Sequence, residues 1–367
     1  MLVLRKIGIL ITVTVLFLMP VWAEDEEEPL PPEGETESPI EEQEEPKLLS
    51  ESEAAPEPEP EPETRPAAKW IDKYGLSLFP LCGLLIGQGE EILYKYPDGD
   101  QFASQLLWDL KPLVYLGVSF DFGLLDPYEK HGMFASASFR YGLPLKTGTM
   151  ENRDWMNPNH DSLTDFSTHD AYSTNAIMLD ISAGYAWPLK GKLTLGAYGE
   201  FTYMHFAWSG ENGYGQYSNG TIWSGSLFKD MYYGTVILYS QNWVLFSPGI
   251  RAKWKINNYF SLDGNVSYSP LIYCTARDDH LFTNVVNWDY PLFGHHFSAA
   301  ARVGYSLFSK TEIFLSLAYR LITGSRGVSY NQDTGFGVTG KIFKNELESG
   351  AGHSALDVRL GIRINIF

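Results

Sequence analysis

Two short polar clusters carry the residue types of a hydrolytic site. The first runs from Asn152 to Asp154 and the second from Arg277 to His280. Residues two apart in an extended strand project to the same side, so Asp278 and His280 would share a face. A carboxylate beside an imidazole orients the ring and raises its basicity. A further carboxylate facing this pair could hold a water, which His280 would deprotonate for attack on a peptide carbonyl.

The spacing of these clusters also occurs in exposed loops without a catalytic role, so a solvated polar turn is the alternative interpretation. Four other histidines, His131, His160, His295 and His296, lie on different loops or turns and lack the spacing of metal ligands. No metal is therefore expected. No cofactor is expected either, because no glycine-rich phosphate-binding loop occurs in a strand–helix context.

The segments that would position the clusters alternate like β-strands. Between Leu193 and Tyr203 the odd-numbered positions are mostly apolar and the even-numbered ones polar or small. The last segment, from Leu356 to Ile366, repeats this pattern, with Arg359 among its polar positions. A soluble sandwich would bury the apolar face, whereas a membrane barrel would turn it toward lipid. After the leader no stretch has about 18 consecutive apolar residues, so membrane residence would require a barrel.

The pattern predicts an all-β fold, a ten-stranded antiparallel transmembrane β-barrel protruding above the membrane. At about 3.3 Å per residue, a strand over 259–279 would rise well beyond an apolar band about 25 Å tall. Short turns on one side and long loops on the other are typical of outer-membrane barrels. The strands are expected near 74–95, 102–122, 132–145, 176–188, 192–209, 233–256, 259–279, 295–308, 312–324 and 354–367. The long polar loops are expected at 146–175, 210–231, 280–294 and 325–353.

The tryptophans and cysteines are assigned structural roles. Trp208, Trp223 and Trp243 are interpreted as members of interfacial girdles. Cys82 and Cys274 fall on the first and seventh strands, which are far apart in a ten-stranded barrel, so both are expected to pack as small apolar residues.

The chain before the barrel divides into two segments. Residues 1–23 indicate a secretory signal peptide, because Arg5 and Lys6 precede an apolar stretch that ends near Ala23. The alternative is a transmembrane anchor, for which the apolar stretch is short. Residues 24–67 hold 18 acidic residues and 10 of the 21 prolines, which predicts an extended, disordered linker.

The formal net charge of -18 belongs almost entirely to that linker. The linker has a net charge of -16, whereas residues 68–367 carry 23 basic and 27 acidic residues. A nucleic-acid-binding protein needs a basic surface, so no nucleic-acid partner is expected. A spacer is the favoured role of the linker, with binding to a cationic partner as the alternative.

Three groups of residues, in order along the chain, form a recognisable set. They are Gly87, Glu91 and Tyr94 with Ser104-Gln105-Leu106-x-Trp108; Asp154-Trp155-Met156 with Thr164-Asp165, Ser167 and His169; and Arg277-Asp278-Asp279-His280. Together they resemble motifs of the omptin family of aspartyl-type outer-membrane proteases, over roughly residues 74–367. The resemblance implies a barrel domain at 68–367 with an active site facing the cell exterior. In a ten-stranded barrel both termini lie on the side of the short turns, so the N-terminal linker is expected to be periplasmic.

The resemblance implies an endopeptidase that activates water without a Ser or Cys nucleophile. Asp278 and His280 would form a dyad, and Asp154 would be one of two carboxylates that hold the water. The other position falls on Asn152, where the family has an acid. Two close carboxylates push one pKa upward, and this coupling is lost with Asn. The departure predicts slower, pH-shifted or absent activity. His169 would have a supporting role.

The resemblance also implies peptide and protein substrates that are cut near basic residues. Glu91 matches one acid of the pocket before the cut, but the second acid falls on Ala276. Asp165 matches the acid of the pocket after the cut. Since a buried arginine side chain requires a paired carboxylate, we expect basic or relaxed specificity before the cut and Lys or Arg after it. Outer-membrane lipid is an expected partner, with dependence on lipopolysaccharide left open.

Two other functions are alternatives to the protease. The first is a non-catalytic barrel, adhesin or structural, in which Asn152 marks lost activity. The second is a small porin, although long side chains such as Glu200 and Arg359 would fill a ten-stranded lumen. Asn152 is therefore the residue that separates the protease from the inactive barrel.

Overall fold

A computed structural model describes residues 73–95, 101–189, 191–335 and 340–366. Within these ranges one antiparallel sheet contains fifteen strands. No helix in the described part of the chain has the length and hydrophobicity to cross a membrane. The predicted signal peptide (1–23), the predicted linker (24–67) and Phe367 lie outside the described residues.

The strands close into a barrel. Their bounds are β1 (Tyr74–Tyr94), β2 (Phe102–Leu124), β3 (Gly132–Gly142), β4 (Lys146–Asp154), β5 (Asp165–Leu189), β6 (Leu193–Tyr217), β7 (Asp230–Met231), β8 (Thr235–Lys255), β9 (Phe260–Ser269), β10 (Ile272–His280), β11 (Val285–Leu292), β12 (His295–Phe308), β13 (Thr311–Thr323), β14 (Arg326–Asp333) and β15 (Ile342–Asn365). Four barrel strands have two segments each, namely β3–β4, β9–β10, β11–β12 and β13–β14. Among the described strands, β7 pairs with β6 alone. Because β15 pairs with β1, ten barrel strands form a closed ring, and the predicted transmembrane barrel is confirmed.

Several segments predicted as loops are strands. The range 146–175 contains β4 and the start of β5, and 325–353 contains β14 and the first half of β15. β6 continues to Tyr217, and β11 occupies most of 280–294. These segments stand beyond the apolar band, so they lack the apolar alternation that identified the other strands. Consequently the predicted site residues lie on rigid strands rather than on loops.

The two faces of the barrel differ as the alternation predicted. On β6, Leu195 is exposed and its neighbour Thr194 is buried. On β15, Leu360 is exposed and Asp357 is buried in the lumen. The apolar side chains therefore face lipid, and the polar ones face inward.

Buried charges inside the lumen are paired with one another. Arg140 binds Asp180 and lies 2.7 Å from Asp357, which also accepts Arg359 at 2.6 Å. Arg320 reaches Asp180 at 2.9 Å. Because each carboxylate in this network has at least one cation, the desolvated charges are neutralised inside the protein.

Three neighbouring barrel strands are interrupted at the same level, below the end of the barrel that carries the two polar clusters. Pro270, which has no N–H to donate, separates β9 from β10. Gly294 (φ +142°) and Gly324 (φ +69°) provide the backbone conformations of the other two interruptions. Across Pro270 the pairing with β8 changes register, because the six residues from Ser267 to Ile272 oppose the five residues of β8 from Leu245 to Gly249. The interruption therefore gives β10, which carries Asp278 and His280, a register against β8 that differs from the register of β9.

The interpretation of the tryptophans as girdle residues is wrong for two of the three. Trp208 and Trp243 point into the lumen and are buried, and Trp223 is half-buried against Phe166. Cys274 is buried as expected, whereas Cys82 is exposed on the outer face.

Candidate active site

The histidine of the site is held by the aspartate two residues earlier. Asp278 and His280 share a face of β10, and Asp278 Oδ2 lies 2.5 Å from His280 Nε2. Asp278 is buried, while 31% of the His280 side chain is accessible to solvent. Asn287 on β11 also donates to Asp278 Oδ2 at 3.3 Å. With Nε2 held by the carboxylate, His280 Nδ1 makes no hydrogen bond to the described residues and can act as a base.

Asn152 and Asp154 lie on β4 and share a face. Ser104 on β2 donates its hydroxyl to Asp154 Oδ1 at 2.6 Å, and Asn152 Nδ2 donates to Asp154 Oδ2 at 3.0 Å. Each carboxylate oxygen has a second lone pair, so Asp154 can still accept a hydrogen bond from water. Asn152 therefore orients Asp154 through a hydrogen bond that two ionised carboxylates could not form.

Asp154 and His280 lie near enough to shift one another's pKa. Burial raises the pKa of Asp154 to about 6, opposed by the hydrogen bond from Ser104 and by the charge of His280. Burial disfavours protonation of His280, but the charge and hydrogen bond of Asp278, with a further contribution from Asp154, raise its pKa above the usual range. The structure thus brings together residues of the third and seventh barrel strands.

Asp165 of β5 is paired with Asp154, and His169 of the same strand lies near His280. Asp165 accepts the backbone N–H of Ser218 at 2.9 Å and contributes to the raised pKa of Asp154. His169 bonds to the backbone oxygen of Asn212, and burial lowers its pKa. The charge of His280 lowers that pKa further, so His169 also lies beside the site.

Glu91 is buried on β1, and an acid that the sequence patterns did not identify lies beside it. This acid is Asp289 on β11, which is paired in register with Ala276 of β10. Both Glu91 and Asp289 interact electrostatically with Asp278. The only signal in the sequence would have been the cross-strand register, which depends on the interruptions of the strands.

A stack of aromatic rings forms the floor of the site. Trp108 lies 5.9 Å from Trp208 and 5.4 Å from Tyr239, measured between ring centroids. Gln241 on β8 donates to the backbone oxygen of Glu90 on β1 at 2.7 Å. Side chains of opposite walls therefore meet across the lumen below the site, which is unfavourable for a conducting porin.

The four histidines considered as metal ligands have separate surroundings. His295 contacts Tyr268 at 2.9 Å, His296 contacts Ser247 at 2.8 Å, His131 lies beside Tyr185, and His160 Nδ1 accepts the backbone N–H of Ser162 at 3.2 Å. Among the residues that the structure describes, no group of three or more His, Cys, Asp or Glu side chains is arranged to hold a metal ion.

Comparisons with known proteins identify the family. The model of the omptin family matches residues 73–366. The chain belongs to the omptin family. A plasminogen activator of Yersinia pestis is 25% identical to this omptin over 259 residues, which cover 70% of the chain and 78% of the relative. The outer membrane protease OmpT of Escherichia coli has the same fold, with a TM-score of 0.69 and 18% identity over 80% of this omptin and 97% of OmpT. The resemblance stated from the motifs is confirmed.

Proposed function

We propose that this omptin is an outer-membrane endopeptidase that hydrolyses peptide bonds near basic residues with a water activated by His280. The proposal rests chiefly on the buried contact of Asp278 with His280, opposite Asp154. Membership of a family that includes outer-membrane proteases supports the same conclusion.

The proposed reaction uses the two walls of the site for different tasks. Asp154 accepts one O–H of the water and orients it, while His280 Nδ1 takes the other proton as the water oxygen attacks the peptide carbonyl. Asp278 stabilises the imidazolium that forms. His280 then returns the proton to the leaving amine, so the proton balance of the enzyme is restored.

Asn152 favours a second candidate, a non-catalytic barrel. Its amide donates to Asp154 at 3.0 Å, where a second carboxylate would share a proton or repel. In the endopeptidase, this contact keeps Asp154 oriented as an acceptor. In the inactive barrel, the absence of the second acid would leave the water without sufficient polarisation.

We further propose that the site faces the cell exterior. The opposite end of the barrel has short turns, such as 256–259 and 309–310, as expected for the periplasmic side. The periplasmic position of residues 24–67 stays a prediction, since they lie outside the described residues. An epitope in that segment should be inaccessible to antibody on intact cells and accessible after permeabilisation.

The decisive experiment is hydrolysis of a quenched peptide containing Arg and Lys by the refolded barrel. We expect His280→Ala to reduce kcat/KM by about 10²- to 10⁴-fold, the usual contribution of a general base. Glu151→Gln is the matched control, because Glu151 faces away from Asp154 and binds Arg153 at 2.6 Å. Equal turnover by the parent protein and His280→Ala would eliminate the mechanism, and no turnover by a folded parent protein would favour the non-catalytic barrel.

A further inference from the structure

A pair of carboxyl groups is buried beside the dyad. Glu91 on β1 and Asp289 on β11 are 2% and 1% exposed. They are close enough to share a hydrogen bond when one of them is protonated. Glu91 Oε2 and Asp289 Oδ1 have no hydrogen-bond partner among the described residues. Two carboxyls from different walls therefore retain the capacity to accept donors from a ligand.

No cation of the described chain forms an ion pair with either carboxyl group. Arg277 is close in sequence to Ala276, but it is exposed, binds Asp279 at 2.8 Å and stacks on Trp288 at 4.7 Å. A buried carboxylate is normally paired with a cation or coordinates a metal. Without such a partner the two carboxyls are neutralised by protonation, and a cation on a bound ligand is the partner that would ionise them.

The local electrostatics favour a cation that arrives from outside. Burial raises the pKa of Glu91 well above its usual range, and the charges of Asp278 and Asp289 raise it further. Burial also raises the pKa of Asp289 to about 7, against the opposing effect of the Ser329 hydroxyl. A guanidinium or ammonium group between the two carboxyls would stabilise both in the ionised form.

The position of Asp289 explains how the pocket can tolerate Ala276. These two residues are direct cross-strand partners, and the Cβ atoms of such partners are about 4.5–5.5 Å apart. An acid at position 289 therefore reaches nearly the same space as an acid at position 276 would. Because the pair of Glu91 and Asp289 also interacts with Asp278, a side chain bound there belongs to a residue next to the scissile bond.

We propose that Asp289 and Glu91 together bind the cationic side chain of the substrate residue before the cut, with Asp289 supplying from β11 the acid that Ala276 lacks. The proposal rests on the proposed endopeptidase function and sharpens its specificity. The sequence alone leads us to expect basic or relaxed specificity before the cut. The pair of Glu91 and Asp289 predicts a definite preference for Arg or Lys there.

The test compares two peptides that differ only by Arg or citrulline before the cut. Citrulline keeps the shape of Arg but has no charge. We expect the barrel to prefer Arg by about 100-fold in kcat/KM, and Asp289→Asn to reduce this ratio by about tenfold or more. Asp333→Asn, an exposed change at the end of β14, should leave the ratio unchanged.

A rescue variant separates specificity from a folding defect. The double variant Ala276→Asp with Asp289→Ala moves the acid to the facing strand, and we expect it to recover most of the preference for Arg. All variants are first checked for β structure by circular dichroism. An unchanged ratio in folded Asp289→Asn, or an inactive but folded rescue variant that also fails to bind the Arg peptide, would overturn the assignment of Asp289.

A binding measurement distinguishes failure of this proposal from failure of the proposed reaction. Fluorescently labelled Arg and citrulline peptides are titrated into His280→Ala, with and without Asp289→Asn. Tighter binding of the Arg peptide that is lost with Asp289→Asn supports the cation site even if the parent protein cleaves nothing. Equal binding of both peptides to His280→Ala rejects the cation site, whatever the cleavage result.

Discussion

Buried acidic residues have opposite surroundings in the lumen and at the site. In the lumen, Asp180 and Asp357 each contact two arginines. At the site, Glu91 and Asp289 are 2% and 1% exposed but form no ion pair within the described chain. Burial alone therefore does not identify a functional acid. A buried acid neutralised by its own chain supports the fold, whereas one left without a cation is available for a ligand or for chemistry.

The largest effect on stability is expected from removing a lumenal cation. Arg140→Met leaves Asp180 and Asp357 without one of their buried partners, and breaking a buried pair costs about 3–5 kcal/mol. The measurement is the free energy of unfolding of the refolded barrel in urea. A loss below about 1 kcal/mol would mean that lumenal pairing does not stabilise the fold.

Removing an acid from the site is expected to increase the free energy of unfolding rather than to decrease it. The pKa of Glu91 is raised in the folded state, so its contribution to stability is present below the unfolded value of 4.5 and is lost as pH rises through the folded value. Glu91→Gln should therefore stabilise the barrel at pH 8 by about 1–3 kcal/mol and have little effect at pH 4. Urea unfolding at both pH values measures this, and destabilisation at pH 8 would show that Glu91 has an internal partner.

The pH dependence of hydrolysis tests the role of Asn152. His280 must be neutral to accept a proton, and its pKa is raised, so kcat/KM should fall as pH decreases through a value above 6.5. Protonation of Asp154, whose pKa is about 6, should reduce the rate further. Asn152→Asp places two carboxylates together and should move the acidic limb of the kcat/KM profile to higher pH by about one unit. An unmoved limb would show that Asp154 does not act together with position 152.

The smallest effect is expected at an exposed ion pair. Lys146 and Asp170 lie 2.6 Å apart on the outer surface, with about half of the lysine side chain accessible. Solvent screens such pairs, so Lys146→Met should leave the urea midpoint unchanged within error. This variant is the control for Arg140→Met, because both remove a cation from the third barrel strand.

The barrel strands could be predicted from the sequence where they face lipid. On β6, alternation from Leu193 to Tyr203 marked both the strand and its lipid-facing side, because lipid requires apolar residues on one face. β4 and β14 were missed, since both faces of these strands are solvated or polar. The inward orientation of Trp208 and Trp243 was not predicted either. The face on which each side chain lies depends on its odd or even position along the strand, and not on its being a tryptophan.

The site could be predicted where its residues are two apart on one strand. This spacing placed Asp278 with His280 and Asn152 with Asp154. The proximity of these two pairs came from the resemblance to the omptin family, because nothing local relates β4 to β10. Asp289 was missed, since its proximity to Glu91 depends on register and on the closure of the barrel.

The contact of Gln241 with Glu90 has a consequence for how a polypeptide can be cut. In the proposed endopeptidase the bore is obstructed beneath Asp278 and His280, so both fragments must depart through the opening by which the substrate arrived. A target segment must therefore arch down to the rim and back out, with its flanking portions outside. Such a geometry suits exposed internal loops of large proteins and requires neither a free chain end nor threading.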